Sequence, residues 1–291
     1  GGPPLRLIPL GGMEEIGKNL YVYEYDDEII LVDCGLAFPD ETTLGVDIII
    51  PDVSYLRERK RMVKAVVITH AHEDHIGALP HVLPEFPGVP VYASTLARGL
   101  LANKLKEAKI ASNPLRKLDP GDRLELGAFT IEPFRVGHSI PDAMGLAIHT
   151  PVGTVVHTGD FKFDQTPVDG RGTDFDILAR LGAEGVIALV SDSTRAEMPG
   201  YTPSERVVGE TFRGIMSEAQ GRVIVATFAS NIARIQQVID AAEILGRRVA
   251  VVGRSMEQNS KIAQDLGYLT DRKSTRLNSS HTDISRMPSS A

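Results

Sequence analysis

The sequence predicts a mixed α/β protein in which sheets of short strands are covered by helices. Apolar, β-branched runs each end abruptly in a polar residue, at 29–35, 63–70, 130–138, 154–160 and 187–194. Runs of this length and composition are typical of strands that are buried on both faces. Helical periodicity at 96–109 and 175–183 provides segments that can cover such strands.

The early part of the chain also predicts antiparallel pairing. Segment 19–33, NLYVYEYDDEIILVD, consists of two strand-like halves that meet at Asp26-Asp27. Two such halves joined by a short polar turn are typical of a β-hairpin. We therefore expect antiparallel as well as parallel strands in the first domain.

The pattern changes after Ser193. A helical pattern begins near Ser204, and it is followed by a strand-like run at 222–230, a helical run at 231–246 and a strand-like run at 247–255. This alternation is typical of a parallel sheet. We expect an incomplete first domain over residues 1–203 and a partial second α/β domain over residues 204–270.

Residues 271–291, DRKSTRLNSSHTDISRMPSSA, differ from the rest of the chain. They have almost no apolar periodicity and are rich in Ser, Arg and Thr, which predicts disorder. The segment also resembles the conceptual translation of a sequencing-adapter oligonucleotide. We interpret it as a non-native tail and leave His281 out of the candidate ligands.

Composition restricts the kinds of site that the chain can build. Of its 291 residues, 42% are hydrophobic, which is enough for a globular core. Cys34 is the only cysteine, so we expect a small buried thiol, no disulfide framework, and metal ligands drawn from histidines and carboxylates. No apolar run approaches the ~18 residues of a membrane span and the start has no signal-peptide pattern, so we predict a cytoplasmic protein without membrane contact.

The formal net charge is −7, which argues against binding nucleic acid by net charge alone. An RNA site would need a local basic patch, and Lys and Arg do cluster at 57–64 and 104–117. Solvated helix faces explain both clusters equally well.

The segment THAHEDHIG carries the strongest chemical signal. His70, His72, Asp74 and His75 directly follow a strand that is expected to be buried, where polar side chains are costly unless a metal ion binds them. In an extended segment His70 and His72 point the same way and can bind one ion. Asp74 and His75 lie at the turn into the next helix and can face a second ion. Imidazole and carboxylate ligands suit Zn²⁺, with Mn²⁺ as the alternative.

Later strand ends supply further candidates. His138 and Asp160 each end an apolar run, and the two oxygens of Asp160 allow it to bridge two ions. We expect Asp33 to contact the ligands rather than the metal, and so to orient a ligand imidazole or the loop at 70–75 that carries the ligands. Asp192, in the segment SDST, is the remaining candidate carboxylate that follows a predicted strand. The other histidines are interpreted as core or surface residues: His81, His149 and His157.

These motifs resemble the metallo-β-lactamase superfamily, and their flanks narrow the resemblance. From about Leu7 to Leu269 the chain is similar to ribonuclease J, a nuclease family that carries a β-CASP domain. The segments that carry this likeness are GGMEEIGKNLYVYEYDDEIILVDCG, THAHEDHIGALP, GHSIPDAMGLAI, HTGDFKFDQTPVDG, SDSTRAE, ATFASNIARIQQ and GRSM. The resemblance implies an αββα metallo-β-lactamase sandwich followed by the start of a β-CASP domain.

The resemblance also implies a function and a cofactor. It implies 5′-to-3′ exonucleolytic and endonucleolytic cleavage of RNA, in mRNA decay and ribosomal RNA maturation, with two Zn²⁺ per subunit and a dimeric or tetrameric intact protein. Asp192 or Asp74 would protonate the leaving group. In this interpretation one ion is held by His70, His72, His138 and Asp160, and the other by Asp74, His75 and Asp160.

In that family the chain returns from the β-CASP insertion with a further zinc-ligand histidine and with histidine motifs for RNA. This sequence ends within the insertion, so we expect one zinc to bind well, the second to bind weakly, and RNase activity to be little or none. Polar residues where strands meet helices are candidates for an RNA 5′-phosphate pocket, with ordinary loop polarity as the alternative. They are Ser230, Asn231, Arg254 and Ser255.

Two other functions remain open at this stage. A small-molecule hydrolase of the same fold, such as a lactonase, would need no strand-helix-strand insertion after Ser193. A non-catalytic RNA-binding remnant would keep its RNA affinity after substitution of His72.

Overall fold

Residues 2–270 are described by a computed structural model, in which they form two compact units. The first unit extends to Asp164 and also contains Arg171–Thr202, and the second contains Gln165–Gly170 and the chain from Pro203 onward. The predicted tail, 271–291, lies outside the described residues. No helix within residues 2–270 combines the length and the apolar character that crossing a membrane requires.

The first unit contains a six-stranded sheet whose strands are adjacent in chain order. The first three strands are antiparallel and the others are parallel to the third. The predicted hairpin is confirmed, with its turn at Asp26-Asp27 and a φ of 54° at Asp26. The strands are β1 (Leu5–Gly11), β2 (Leu20–Tyr25), β3 (Glu28–Val32), β4 (Val63–Val67), β5 (Val91–Ala93) and β6 (Leu115–Lys117).

Helices occupy the parallel crossovers of this sheet, as parallel pairing requires. α1 (Ser54–Arg57) lies between β3 and β4, α2 (Glu73–Ile76) and α3 (Leu79–Val82) lie between β4 and β5, and α4 (Thr95–Glu107) lies between β5 and β6. The helix predicted at 96–109 is therefore confirmed as α4. Short 3₁₀ turns are found at Lys60–Met62 and Leu83–Glu85.

A second, five-stranded sheet completes the first unit. Its strands are ordered β11-β10-β9-β8-β7, and all neighbours are antiparallel except β10 and β11. That parallel pair is joined through α5 (Phe175–Glu184), which confirms the helix predicted at 175–183. The strands are β7 (Leu124–Leu126), β8 (Phe129–Arg135), β9 (Met144–Thr150), β10 (Gly153–His157) and β11 (Ala188–Val190).

The two sheets pack face to face around one apolar core. Tyr23 and Ile30 of the first sheet and Phe129 and Leu146 of the second belong to the same buried cluster. Each fully buried large side chain of this kind contributes about 1.5–3 kcal/mol. The Tyr23 hydroxyl also lies 2.9 Å from His157 Nδ1, and this buried contact joins β2 to β10. The layers therefore match the predicted sandwich.

The second unit contains three described helices, α6 (Arg206–Glu218), α7 (Ile232–Ile244) and α8 (Arg254–Asp265). Their core includes Met216, Ala241 and Ala242. Within residues 2–270 the runs 222–230 and 247–255 form no β-ladder, so the strands predicted there are not observed. Their less exposed and more exposed positions do alternate, as in strands. One face, which includes Val223, packs on the helices, while the other leaves Ile224 93% exposed.

The segment after β3 is held tightly against α2. Cys34 N donates to His75 O at 2.7 Å, and Leu36 N donates to Glu73 O at 3.0 Å. Gly35 lies between these bonds, where a Cβ would be only 1.5 Å from Asp74 O. The close approach of the two backbones therefore requires glycine at this position.

We expect the substitution Gly35→Ala to destabilise the first unit. The new Cβ would meet backbone atoms that cannot rotate away, and overpacking of this kind costs about 1–3 kcal/mol or more. Thermal unfolding followed by circular dichroism should show a melting temperature lower by roughly 2–10 °C. Gly182→Ala is the matched control, because this α5 glycine has open space around it and should tolerate the change. Equal melting temperatures for the two variants would contradict the packing argument.

Candidate metal centre

The ligand loop begins where β4 ends. His72 has an extended backbone conformation and directly precedes α2. His70 and His75 are buried, with exposed fractions of 1% and 2%. The loop therefore presents imidazoles in a desolvated environment, where they need partners.

The first ligand group consists of His70, His72 and His138. One nitrogen of each ring lies within 4.8 Å of the other two. His72 Nδ1 is 3.1 Å from His70 Nε2 and 3.0 Å from His138 Nε2. Nitrogens converging from three rings form a site that can hold a divalent ion.

The second ligand group consists of His70, His75 and Asp160. Asp160 Oδ1 lies 3.3 Å from His75 Nε2, whereas its Oδ2 lies 3.9 Å from His70 Nε2 and 3.8 Å from His138 Nε2. The two oxygens of Asp160 therefore face different groups. A carboxylate in this position can bridge two ions.

Tight backbone turns bring Asp160 and His138 to this place. Gly159 has a φ of 58°, and a Cβ there would lie 3.0 Å from Thr69 Cβ. Lys162 N donates to Gly137 O at 2.7 Å, which ties the segment after Asp160 to the segment that carries His138. The ends of β8 and β10 thus deliver one ligand each.

Asp33, predicted from the sequence to orient the ligands, contacts His75 of the second group. Its side chain is fully buried, and it accepts hydrogen bonds from Thr69 N at 2.7 Å and Thr69 Oγ1 at 2.8 Å. His75 Nδ1 lies 2.7 Å from Asp33 Oδ2. This contact turns His75 Nε2 toward Asp160 and fixes the ring. Asp33 itself has a φ of 61°, an uncommon value for a residue with a side chain.

Burial keeps two of the imidazoles neutral. Desolvation, followed by repulsion from neighbouring histidines, holds the pKa of His70 well below its usual value. The same causes lower the pKa of His72 to about 3. Neutral imidazole is the form that binds metal, so both rings are ready to act as ligands at neutral pH.

His75 and Asp160 behave differently because they face each other. Burial opposes charge on both, but Asp33 and Asp160 outweigh it for His75 and hold its pKa well above the usual value. The bond and charge of His75 likewise outweigh desolvation and lower the pKa of Asp160 to about 2. In the metal-free protein these residues therefore form an ion pair.

The chemistry of the donor set fits a divalent metal. Within residues 2–270 the two groups offer imidazole nitrogens and carboxylate oxygen, with no thiolate. This combination is typical of Zn²⁺ and also of Mn²⁺. His70 belongs to both groups. If His70 binds the first ion, His75 and Asp160 remain as ligands for a second ion.

Asp74 and Asp192 lie beside the two groups rather than in them. Asp74 Oδ2 is 3.5 Å from His75 Nε2, and burial raises the pKa of this carboxyl. Asp192 Oδ1 accepts hydrogen bonds from the backbone N and the hydroxyl of Thr194, at 2.9 and 2.7 Å, and Oδ2 faces Phe161 N at 3.5 Å. Asp192 is thus engaged in its own turn next to the segment that carries Asp160.

The remaining candidates belong to the second unit. Ser230 and Asn231 precede α7, and Asn231 Oδ1 accepts from Arg234 N at 3.0 Å. Arg254 and Ser255 are the first residues of α8, which follows Gly253 with a φ of 116°.

The residues that were not expected to bind metal have other partners. His149 contacts Thr154 and Glu132, at 2.9 and 3.1 Å. His157 is buried on Tyr23, and desolvation lowers its pKa to about 4. Cys34 is buried, as predicted, and burial raises the pKa of its thiol.

Sequence reasoning missed Asn19 and Thr69. Asn19 Nδ2 donates to Asp74 O at 3.1 Å and lies 3.2 Å from His75 Nε2. Thr69 provides both donors to Asp33. Thr69 could have been found as the polar residue that ends the strand before the ligands, but Asn19 precedes a different strand, and no local pattern points to its partner.

We expect the two ions to bind with different affinities and pH dependences. The lowered pKa values of His70 and His72 keep both rings neutral at pH 6–8, so affinity for the first ion should vary little through them, whereas an ion in the second group must displace the His75 proton. Since the pKa of His75 is raised, affinity for the second ion should increase with pH, by about tenfold per unit below that pKa. Calorimetric titration with Zn²⁺ should show one tight ion and a second, weaker one with this slope.

The variant His149→Gln is the control for that titration, because it removes a histidine of the same unit that lies outside both groups. It should leave both affinities unchanged. Two ions bound equally tightly, or with equal pH slopes, would contradict the ligand grouping.

Comparison with known proteins agrees with this geometry. The metallo-beta-lactamase superfamily model matches residues 14–195, and the model of the ribonuclease J beta-CASP domain matches residues 220–290, of which 220–270 lie within the described part of the chain. A crystal structure of a protein of unknown function from Enterococcus faecalis has a TM-score of 0.66 at 18% identity, covering 91% of this chain and 68% of that one. It shares the fold alone. The predicted α/β fold class is confirmed.

Curated relatives share much more of the sequence. The chain is 51% identical over 278 residues to Ribonuclease J of Thermus thermophilus, covering 92% of this chain and 48% of that protein. It is 48% identical over 265 residues to Ribonuclease J of Mycobacterium tuberculosis, with coverages of 91% and 47%. The chain spans about half the length of these relatives. It therefore belongs to the metallo-β-lactamase superfamily and, within it, to the ribonuclease J family.

Proposed function

We propose that this chain is the metal-binding part of a hydrolase that cleaves RNA phosphodiester bonds. One observation carries the proposal: the Asp160 carboxylate faces both ligand groups, with Oδ1 3.3 Å from His75 Nε2 and Oδ2 3.8 Å from His138 Nε2, in a chain that is 51% identical to a protein named ribonuclease J. Two ions held by one bridging carboxylate suit phosphodiester hydrolysis, because attacking and leaving oxygens both need charge stabilisation.

The proposed ions are zinc. His70, His72 and His138, with Asp160, would hold one, and His75, Asp160 and the nearby Asp74 would hold the other. Bound ions supply a more acidic water and offset the charge of a phosphate. The chain's own residues position these elements: Asp33 orients His75, and Asp160 connects the groups.

When Asp74 is not engaged by the second ion, proton transfer to the leaving oxygen is assigned to it rather than to Asp192. Asp74 lies beside the second group and its side chain is 34% exposed, so substrate can reach it. Asp192 Oδ1 already accepts two hydrogen bonds from Thr194. In this proposal Asp192 supports the turn that contacts Phe161 N, next to Asp160.

The proposed RNA contacts in the second unit are Ser230, Asn231, Arg254 and Ser255. Two features support them: all four lie where α7 and α8 begin, and Asn259 of α8 donates to Ala229 O at 3.2 Å, which connects the two helix starts. Helix N-termini favour phosphate groups.

The proposal extends to the intact protein in its cell. It comprises exonucleolytic and endonucleolytic action in mRNA decay and ribosomal RNA maturation, a cytoplasmic location and a dimeric or tetrameric assembly. The similarity to ribonuclease J supports these features.

We expect slow, metal-dependent RNA cleavage when excess Zn²⁺ or Mn²⁺ fills the weaker site. Single-turnover assays with labelled RNA should detect it, and His72→Ala should abolish it by removing a ligand that belongs to the first group alone. His149→Gln is the control and should cleave at the parent rate. Hydrolysis of a lactone or a β-lactam in preference to RNA would contradict the proposal, as would cleavage that survives both His72→Ala and a chelator.

A further inference from the structure

The second unit contains a cavity between α6, α7 and the segment 166–168, here called the α6–α7 cavity. Its volume is about 420 Å³, which is within the range of small-molecule sites. Thr166 Oγ1 donates to Ser204 Oγ at 2.9 Å, and Ser204 Oγ donates to Thr166 O at 3.1 Å. These bonds fix the segment 166–168 next to the start of α6, so the walls of the cavity are held in place.

A buried amide with one unsatisfied group lies in the wall of this cavity. Gln237 of α7 lines the cavity and is 5% exposed. Its Nε2 donates to Glu205 O at 2.5 Å, which fixes the orientation of the amide. Its Oε1 has no hydrogen-bond partner among residues 2–270. A buried acceptor without a partner is costly, so a ligand that offers a donor here would be stabilised.

Two arginines of α6 supply positive charge to the same cavity. Arg206 and Arg213 are seven residues apart, so they lie on one face of the helix. The Arg206 side chain has a 3.8 Å contact with Glu210, and a contact between such exposed side chains contributes little. The described part of the chain provides no acidic partner for Arg213. Guanidinium groups in this state suit a phosphate, which they bind through paired N–H donors.

The other lining groups narrow the class of ligand. Pro167, Val168 and Ile244 provide an apolar surface. Asp240 also lines the cavity, and its Oδ1 accepts a hydrogen bond from Gln236 Nε2 at 2.7 Å. A carboxylate repels a bare phosphate but accepts hydrogen bonds from sugar hydroxyls, as in dinucleotide sites. The lining therefore favours a ligand in which an anionic group is combined with hydroxyls and an apolar body.

We propose that the α6–α7 cavity binds a nucleoside monophosphate. The phosphate pairs with Arg206 and Arg213, and a ribose hydroxyl donates to Asp240. An amino group of the base donates to Gln237 Oε1, while the apolar lining covers the base. The inference goes beyond the proposed function, because it requires neither the metal ions nor cleavage of RNA.

This site differs from the proposed RNA contacts at the helix starts. Asn231 directly precedes α7, whereas the α7 residues of the cavity are Gln237 to Ile244, about 9–20 Å farther along the helix axis. The phosphate partners are side chains of α6 and not the N–H groups of a helix start. Neither metal-ligand group contributes a residue to the cavity.

The test is calorimetric titration of the zinc-loaded, 291-residue chain with adenosine monophosphate. Purine riboside monophosphate is the matched ligand, because it lacks only the amino group that Gln237 Oε1 would accept. We expect it to bind about tenfold more weakly, and ribose 5-phosphate to bind more weakly still. Binding of adenosine monophosphate should persist when a chelator removes the zinc, since the cavity contains no metal ligand.

Variants of the cavity locate the binding. Arg213→Gln should weaken binding of adenosine monophosphate by about tenfold, since it removes a charge-assisted bond to the phosphate. Arg222→Gln is the matched control and should bind as the parent does, because this exposed arginine of the same unit does not line the cavity. Gln237→Met should bind adenosine monophosphate and purine riboside monophosphate equally.

A second variant keeps the test valid if Gln237→Met does not fold. A Cβ at Gly209 of α6 would lie 3.5 Å from Gln237 Nε2, an ordinary contact, so a longer side chain there would enter the cavity. Leucine also favours a helix more than glycine does. Gly209→Leu should therefore lower the affinity for adenosine monophosphate at least tenfold without lowering the melting temperature.

The results that would overturn the proposal are distinct. Absence of binding at millimolar adenosine monophosphate excludes the site, and binding that the chelator abolishes belongs to the metal centre. Equal affinities for adenosine monophosphate and ribose 5-phosphate would show a site for phosphate alone. Each of these results leaves the proposed function unchanged. If the chain binds adenosine monophosphate with chelator present but never cleaves RNA, the proposed function fails and this inference stands.

Discussion

The buried carboxylate of Asp33 is the interaction on which the metal centre depends. It accepts two hydrogen bonds from Thr69, which fixes the start of the ligand loop, and it contacts His75 Nδ1, which fixes the end. A fully buried carboxylate is stable only when its oxygens are satisfied in this way. Asp33 therefore holds both ends of the loop between Thr69 and His75, in which His70 and His72 lie together.

The surrounding fold brings the ligand residues to one place. The parallel strands β3 and β4 bring Asp33 and Thr69 to one edge of the first sheet, and the ends of β8 and β10 bring His138 and Asp160 from the second sheet. The ligands thus come from both layers of the sandwich, so the packing of the sheets sets the distance between the ligand groups. The Tyr23–His157 contact crosses the same interface three residues before Asp160.

Site residues could be predicted from the sequence where the pattern that indicates them lies within one short segment. The spacing of His70, His72 and His75 predicted a ligand loop, strand ends predicted His138, Asp160 and Asp33 beside it, and the structure brings these side chains together. Asn19 and Gly35 were not found, because their roles depend on backbone contacts with Asp74, far along the chain. The strands expected at 222–230 and 247–255 failed for a related reason: alternation predicts a strand, but pairing needs neighbours that no local pattern supplies.

X-ray absorption at the zinc edge tests the central claim most directly, because it reports the ligands of the bound ion. For the chain loaded with one equivalent of zinc, the account predicts nitrogen and oxygen ligands at about 2.0–2.1 Å, with scattering from more than one imidazole and no sulfur. Asp33→Asn should disorder that coordination without removing any ligand. A sulfur shell, or a spectrum with a single imidazole, would contradict the account.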